Sequence, residues 1–458
     1  MDIARQSSSR QVKNMQGIAV AFVALALLAV PLGIAGGVQA QDAAGRDLTP
    51  IVIGPEPTDR LGGGDLVAVR AGDAIFGVRY GSERQPNDVV IFAEYKRFLG
   101  GADIVDAEGN LVRSKGIPVF TLVGQSLNGF IEFDDRDGDG LLNFLAVNET
   151  GDIVRNDHPV KALRLNTSWA LDGPTVEVAG ETTYVNFTLT AADLPYDLVW
   201  DPARRHGVPA DGALDSVSFT FHLEVDVVGR RARVPWYRVT IADGDERRIS
   251  DVEFLEWRNV TGRAVAMGAK YDHGIVGWDF VNDTTLLALE TRLLFGNYFP
   301  QLVAQFVHMA YYHDHAEDEN GTWRHDPNEM APTRPHLYTR DRIYFADDYE
   351  RVGRLEWTTN VTVDGVNATM RFQVQGGERL RFEHHGAWFL GFAVRGAYIY
   401  PNGQAIQHDP AIFAESILPE LPSLANLAPT TILAVQLAVV GLAMGPALYL
   451  RAKARRRT

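Results

Sequence analysis

Cysteine is absent from this 458-residue chain. That excludes disulfides, thiolate metal sites and blue-copper centres, which need a cysteine ligand. Lysine is scarce: Lys13, Lys96, Lys115, Lys161, Lys270 and Lys453 are the only six among 43 basic residues. Positive charge is outweighed, with a formal net charge of −15, which argues against nucleic acid as a partner. There is no P-loop, no Rossmann glycine fingerprint, no G-x-S-x-G and no repeat at a solenoid or propeller period. Nucleotide-dependent and serine-hydrolase chemistry therefore has no support in the motifs.

Two long apolar, uncharged runs lie near the two ends. The first, from about Gly17 to Ala40, follows Arg5, Arg10 and Lys13 and closes on Val38-Gln39-Ala40 before Gln41. Basic start, apolar stretch and small-x-small ending predict a secretory signal over residues 1–40. The second, Thr430 to Leu450, is long enough to cross ~30 Å of hydrocarbon as a helix. A basic tail over 451–458 follows it, with Arg451, Lys453, Arg455, Arg456 and Arg457. Basic flanks stay in the cytoplasm, so the chain is expected in the cell membrane as a single-pass protein with everything between these segments outside. Gly441 and Gly445 form a G-x-x-x-G, a candidate face for lateral helix association.

The signal region carries +2 and the tail +5, which leaves the middle near −22. Eight N-x-S/T sequons, at Asn148, Asn166, Asn186, Asn259, Asn282, Asn320, Asn360 and Asn367, predict N-glycosylation of exposed loops and strand ends. Acidic, lysine-poor, cysteine-free and sequon-rich, the chain resembles the surface-anchored glycoproteins of salt-loving archaea, a likeness of class and not of a specific family.

Between the ends the text reads as strands. Val217, Phe219, Phe221, Leu223, Val225 and Val227 alternate with Ser218, Thr220, His222, Glu224 and Asp226, the period-two pattern of a strand with one buried face. Similar runs fall at 89–95, 118–123, 129–133, 182–190, 234–241, 248–257, 355–363 and 368–374. Turn clusters such as Ala107-Glu108-Gly109-Asn110, Ala242-Asp243-Gly244-Asp245 and Val363-Asp364-Gly365 separate several of them. The expectation is an all-β protein with β-sandwich ectodomain architecture and one C-terminal transmembrane helix. Residues 41–65 read as a linker, 66–171 as a first β domain, 172–417 as a second sandwich domain, and 418–429, with Pro419, Pro422 and Pro429, as a stiff stalk. Gln301 to Tyr312, after Pro300, fits a short helix with Leu302, Phe306 and Met309 inward, while its Val, Phe and Tyr content fits a strand equally well; the preferred reading is a hairpin with Thr284 to Phe295 across Gly296-Asn297.

The sharpest motif is Asp135-x-Asp137-x-Asp139-Gly140, with Asn143 three residues on. Alternate carboxylates in a tight, glycine-turned loop supply several of the six to eight oxygens that Ca²⁺ takes. The loop resembles those of EF-hands and, more closely, the strand-flanked calcium loops of FG-GAP repeats. It departs from the EF-hand in having Ala146 at the twelfth place, and from FG-GAP proteins in occurring once.

A second constellation is rich in histidine: His308, His313, His315, His325 and His336, then His384, His385 and His408. His313 and His315 on a strand would point the same way and, with Glu319, suit a transition metal. H-x-H-x₃-E is similar to the first cupin motif, with Val307 where a glycine is expected and His408 displaced by two from the second motif. Eight tryptophans lie outside the apolar ends; Trp236, Trp257 and Trp357 sit in strand patterns that predict core packing, and Trp323 in a polar loop predicts exposure. Three roles follow: a calcium-stabilised surface protein in structure, adhesion or ligand binding; a metal-dependent enzyme or metal handler using the histidines; and a carbohydrate-binding or carbohydrate-active domain.

Overall fold

The computed structural model describes residues 48–57, 64–143, 145–147, 153–155, 157–201, 206–209, 211–242, 245–300, 303–307, 309, 333–339, 341–347, 351–384 and 387–419. The expected signal (1–40) and transmembrane (430–450) segments, with Gly441 and Gly445, lie outside these residues. Among the described residues no helix is long and apolar enough to cross a membrane.

The chain is all-β, as its periodicity predicts. The strands in order are β1 (Ile51–Pro57), β2 (Asp65–Ala71), β3 (Ala74–Tyr80), β4 (Val89–Val105), β5 (Leu111–Asp134), β6 (Leu145–Val147), β7 (Ile153–Arg155) and β8 (His158–Arg164). There follow β9 (Ala170–Ala179), β10 (Thr182–Pro195), β11 (Leu198–Asp201), β12 (His206–Pro209), β13 (Ala213–Ala242), β14 (Asp245–Val276), β15 (Leu286–Phe299) and β16 (Thr333–Thr339). The last are β17 (Arg342–Asp347), β18 (Arg351–Glu356), β19 (Asn360–Val363), β20 (Val366–Thr369), β21 (Arg371–His384), β22 (Ala387–Tyr400), β23 (Ala405–His408) and β24 (Ala411–Pro419).

Two layers emerge from the ladders. In the first, β1 to β5 pair in sequence order, β5 then pairs with β15, β15 with β22 and β22 with β21, all antiparallel. In the second, β9, β10, β13 and β14 are neighbours, and β14 continues onto β23 and β24. The layers join where residues 101–105 of β4 run parallel to 236–240 of β13. The alternating face of β13 is buried as expected: Val217, Phe219, Phe221, Leu223, Val225 and Val227 are at most 1% exposed. They share one core with Val67, Phe76, Ile91, Val123 and Leu289 of the first layer. Burial of aliphatic and aromatic side chains on this scale supplies most of the stabilisation.

Three expectations are corrected. The runs at 216–227 and 234–241 are one strand, because the β13–β14 ladder continues unbroken through Gly229 and its arginine neighbours. The proposed division at Leu171 passes through the interior, since β5 pairs with β15 and both sides of the boundary contribute to the same core. Gly296-Asn297 is no turn: both residues lie inside β15, and the chain after Pro300 makes a helical turn at residues 303–307. Ala304 N donates to Pro300 O at 2.8 Å, and Val303 and Phe306, three apart, bury together beside Tyr237 and Val252. Helical spacing satisfies that smaller core where a strand would turn alternate residues away from it.

Among the buried polar groups, two networks stand out. Glu132 is fully buried and accepts from Trp278 Nε1 at 3.0 Å, Val281 N at 2.7 Å and Thr285 Oγ1 at 2.6 Å, with the Lys161 ammonium 3.9 Å away. Nearby, His273 Nε2 lies 2.8 Å from Tyr400 OH, which lies 3.1 Å from His408 Nδ1, while His408 Nε2 lies 3.0 Å from Thr358 O. The carbonyl can only accept, so His408 carries its proton on Nε2, Tyr400 donates to Nδ1, and His273 donates to Tyr400.

Candidate functional site: an aspartate loop and a polar pocket

The aspartate loop leaves β5 at Asp134 and is turned by Gly138 (φ +71°) and Gly140 (φ +69°), left-handed conformations that favour glycine. Each aspartate accepts from the backbone ahead of it. Asp135 takes Gly138 N at 3.0 Å and Gly140 N at 2.8 Å, Asp137 takes Asp139 N at 3.1 Å, and Asp139 takes Leu141 N at 2.8 Å. These bonds hold the three carboxylates together, with one oxygen from each inside a 4.8 Å span.

That gathering is electrostatically unfavourable without a cation. Burial, and then the Asp137 carboxylate, push the Asp135 carboxyl above the usual range. Asp157 is also raised, first by burial and then by Asp137 and Asp135. Asp157 is a residue the motif does not contain. The β5–β8 pairing carries it to the loop, where it accepts from Asn143 N at 2.5 Å and Arg136 N at 3.4 Å. Asn143 donates its side-chain amide to Asp139 at 3.1 Å, and its Oδ1 accepts from Gln373 at 3.0 Å. Arg371 donates to the Asp139 carbonyl. Arg371 and Gln373 come from β21, far along the chain, and carry no local signal that links them to the loop.

Three carboxylates on an oxygen-only loop turned by two glycines fit a hard divalent cation of the calcium type. Asp135, Asp137 and Asp139 would hold it, and its charge would relieve the repulsion that raises Asp135 and Asp157.

His313, His315 and Glu319 lie outside the described residues, as do Asn148, Asn320 and Trp323. Among the sequons that are described, Asn166, Asn259, Asn282, Asn360 and Asn367 are exposed, and Asn186 is half-buried with Oδ1 2.8 Å from His222 Nδ1. Trp236 and Trp357 are buried, but Trp257 is 46% exposed, a correction to its expected core position. Its stretch of β14 pairs with β13 alone among the described residues, so no further strand covers it.

A pocket of about 550 Å³ opens on the outer face of the second layer. Ser218, Thr220 and Asp272 come from the side of β13 and β14 opposite the core, and Asn360, Asn367 and Asp409 from the β19–β20 hairpin and the end of β23. Lys270 bridges Asp409 at 3.2 Å and Asp272 at 3.5 Å. The hairpin turns at Asp364 (φ 51°) and Gly365 (φ 77°). Asn360 faces Thr369 and Thr362 faces Asn367, so the two sequons share one side of it.

No protein-family model matches this chain, and no curated protein matches it.

Proposed function

We propose that this chain is a single-pass cell-surface glycoprotein whose β ectodomain is stabilised by Ca²⁺ and serves a structural, adhesive or ligand-binding role. The carrying observation is the Asp135–Asp137–Asp139 cluster, whose ligand oxygens converge within 4.8 Å while Asp135 is held above its ordinary pKa by burial and by Asp137. Placement outside the cell rests on the two apolar ends and their basic flanks, and glycosylation on sequons such as Asn166 and Asn282, whose asparagines are exposed in the fold. Halophilic, archaeal surface proteins share its acidic, lysine-poor composition. The test is terbium luminescence and calorimetry on the full-length protein in detergent. One Ca²⁺ per chain, lost when all three aspartates become asparagine, supports the reading; no saturable binding sinks it.

The pocket favours one further reading, a carbohydrate-binding role. Its hydroxyl, amide and carboxylate lining suits a neutral polyhydroxylated ligand, which replaces the hydrogen bonds of the water it displaces. Saturation-transfer NMR with neutral hexoses tests it: signals abolished by Asp409→Asn support it, and their absence from the unaltered protein refutes it. A metal-dependent enzyme on His313, His315 and Glu319 has no described geometry behind it.

A further inference from the structure

β24 fixes the direction in which the chain leaves the β fold. It runs antiparallel to β14 from the Lys270–Ala411 pair to the Gly262–Pro419 pair. At Pro419 the chain is therefore heading toward the tip of the β13–β14 hairpin. That hairpin projects on from Thr261 to Asp245, paired there with β13. At ~3.3 Å per residue this projection is about 55 Å along the strand. The tether from Pro419 to the apolar segment at Thr430 is residues 420–429, with a reach of at most about 36 Å. The projection exceeds the tether, so the projecting half of the hairpin is within reach of the membrane that the apolar segment enters.

The projecting half carries two exposed aromatic side chains. Phe254 is 44% exposed and Trp257 46%, with their rings 6.2 Å apart and the Arg233 guanidinium 5.4 Å over Trp257. The parallel pairing of β4 with β13 brings the β4–β5 turn to the same end, where Leu111 and Val112 are 63% and 50% exposed. Residues 230–263 hold eight arginines against six acidic residues, within an ectodomain near −22. Exposed tryptophan beside arginine on an apolar rim suits the headgroup region of a bilayer, and the basic excess suits anionic lipid.

We propose that the projecting half of the β13–β14 hairpin docks on the anionic surface of the anchoring membrane, with Phe254 and Trp257 among the headgroups. This rests on the reading of 430–450 as the anchor and is independent of the calcium loop. Asn259 lies two residues from Trp257 on the same side of the strand, so docking requires that sequon to be unmodified.

The missing cysteines make the test direct. Full-length Phe254→Cys, Trp257→Cys, Val112→Cys, Val281→Cys, Val366→Cys and Val439→Cys proteins each take one fluorophore. They are reconstituted in vesicles of phosphatidylcholine and phosphatidylglycerol carrying a lipid-borne quencher. Val112→Cys keeps both aromatic residues; Val281 and Val366 lie at the opposite end of the fold. Labels at 254, 257 and 112 should be quenched about threefold more than those at 281 and 366, and less so without phosphatidylglycerol. Equal quenching at all five, with 439 strongly quenched, overturns the docking and leaves the anchor standing. A label at 439 that stays unquenched overturns the anchor and the docking with it.

Discussion

Gln373 on β21 donates its side-chain amide to Asn143 Oδ1 at 3.0 Å across 230 residues of sequence. Its Oε1 accepts from Leu142 N at 2.7 Å. The aspartate loop is thus clamped to a strand of the first layer, and an ion bound there stabilises more than the loop. With Ca²⁺ at one hundred times its dissociation constant, the gain is about 2.7 kcal/mol. Thermal melts with Ca²⁺ and with chelator should differ by several degrees in the native chain and coincide in the triple Asp135→Asn, Asp137→Asn, Asp139→Asn variant. A chelator-insensitive native chain would contradict the site.

The loop also has a definite pH sign. Asp135 and Asp157 hold their protons to higher pH in the folded state than in the unfolded chain. Without metal, their contribution to stability falls as pH rises from the ordinary aspartate value, about 3.9, through their raised folded values. Ca²⁺ needs the deprotonated carboxylates, so the stabilisation it brings should grow as pH rises through the same window. A Ca²⁺-induced shift in melting temperature that is the same at both ends of that window would refute this assignment.

His273 and His408 act in the opposite sense. Burial lowers both, His408 to about 4 and His273 well below the usual range with a smaller push from His408. The unfolded chain therefore takes up protons first. Stability is fully present above about pH 6.5 and is lost as pH falls toward the folded values, by up to about 1.4 kcal/mol per pH unit for each histidine. Imidazole NMR should find His408 neutral at pH 5.5. The His408→Asn variant should lose about one proton from the measured slope.

Glu132 accepts three hydrogen bonds in the core beside Lys161. Glu132→Ala leaves the Lys161 charge and the Trp278 and Thr285 donors without that acceptor, and should cost about 3–5 kcal/mol in denaturant unfolding. Glu132→Gln should cost less, because the amide oxygen still accepts. Equal losses would mean that packing, not charge, dominates the site.

Peptide mass spectrometry should find glycan on Asn166 and Asn282, whose side chains are exposed away from the pocket. Asn186, half-buried against His222, should be occupied less. The reverse order would show that folded exposure does not govern modification here.

Local pattern made much of this legible. Alternation at 217–227 named the buried face of β13 residue by residue, and Asp364-Gly365 marked a true hairpin turn, because strand faces and left-handed turns are set by neighbouring residues. The motif likewise named Asp135, Asp137 and Asp139. Its partners were not legible: Asp157 arrives through β5–β8 pairing, and Arg371 and Gln373 through β21. At 303–307 the residues fit helix and strand alike, since Val and Phe carry β propensity; burial beside Tyr237 and Val252, which favours residues three apart, decides for the helical turn.

The sequence by itself determined the all-β class, the exposed and buried sides of the regular strands, and the loop that gathers three carboxylates. Only the tertiary structure decided that β4, β5, β13 and β15 interleave across the expected domain boundary and that Trp257 stays on an uncovered rim. It also decided that two buried histidines share a tyrosine between the layers. Strand periodicity records which side of a residue is wet; it does not record which distant strand supplies the other half of the ladder, since every apolar face can pair with every other until register and packing select one.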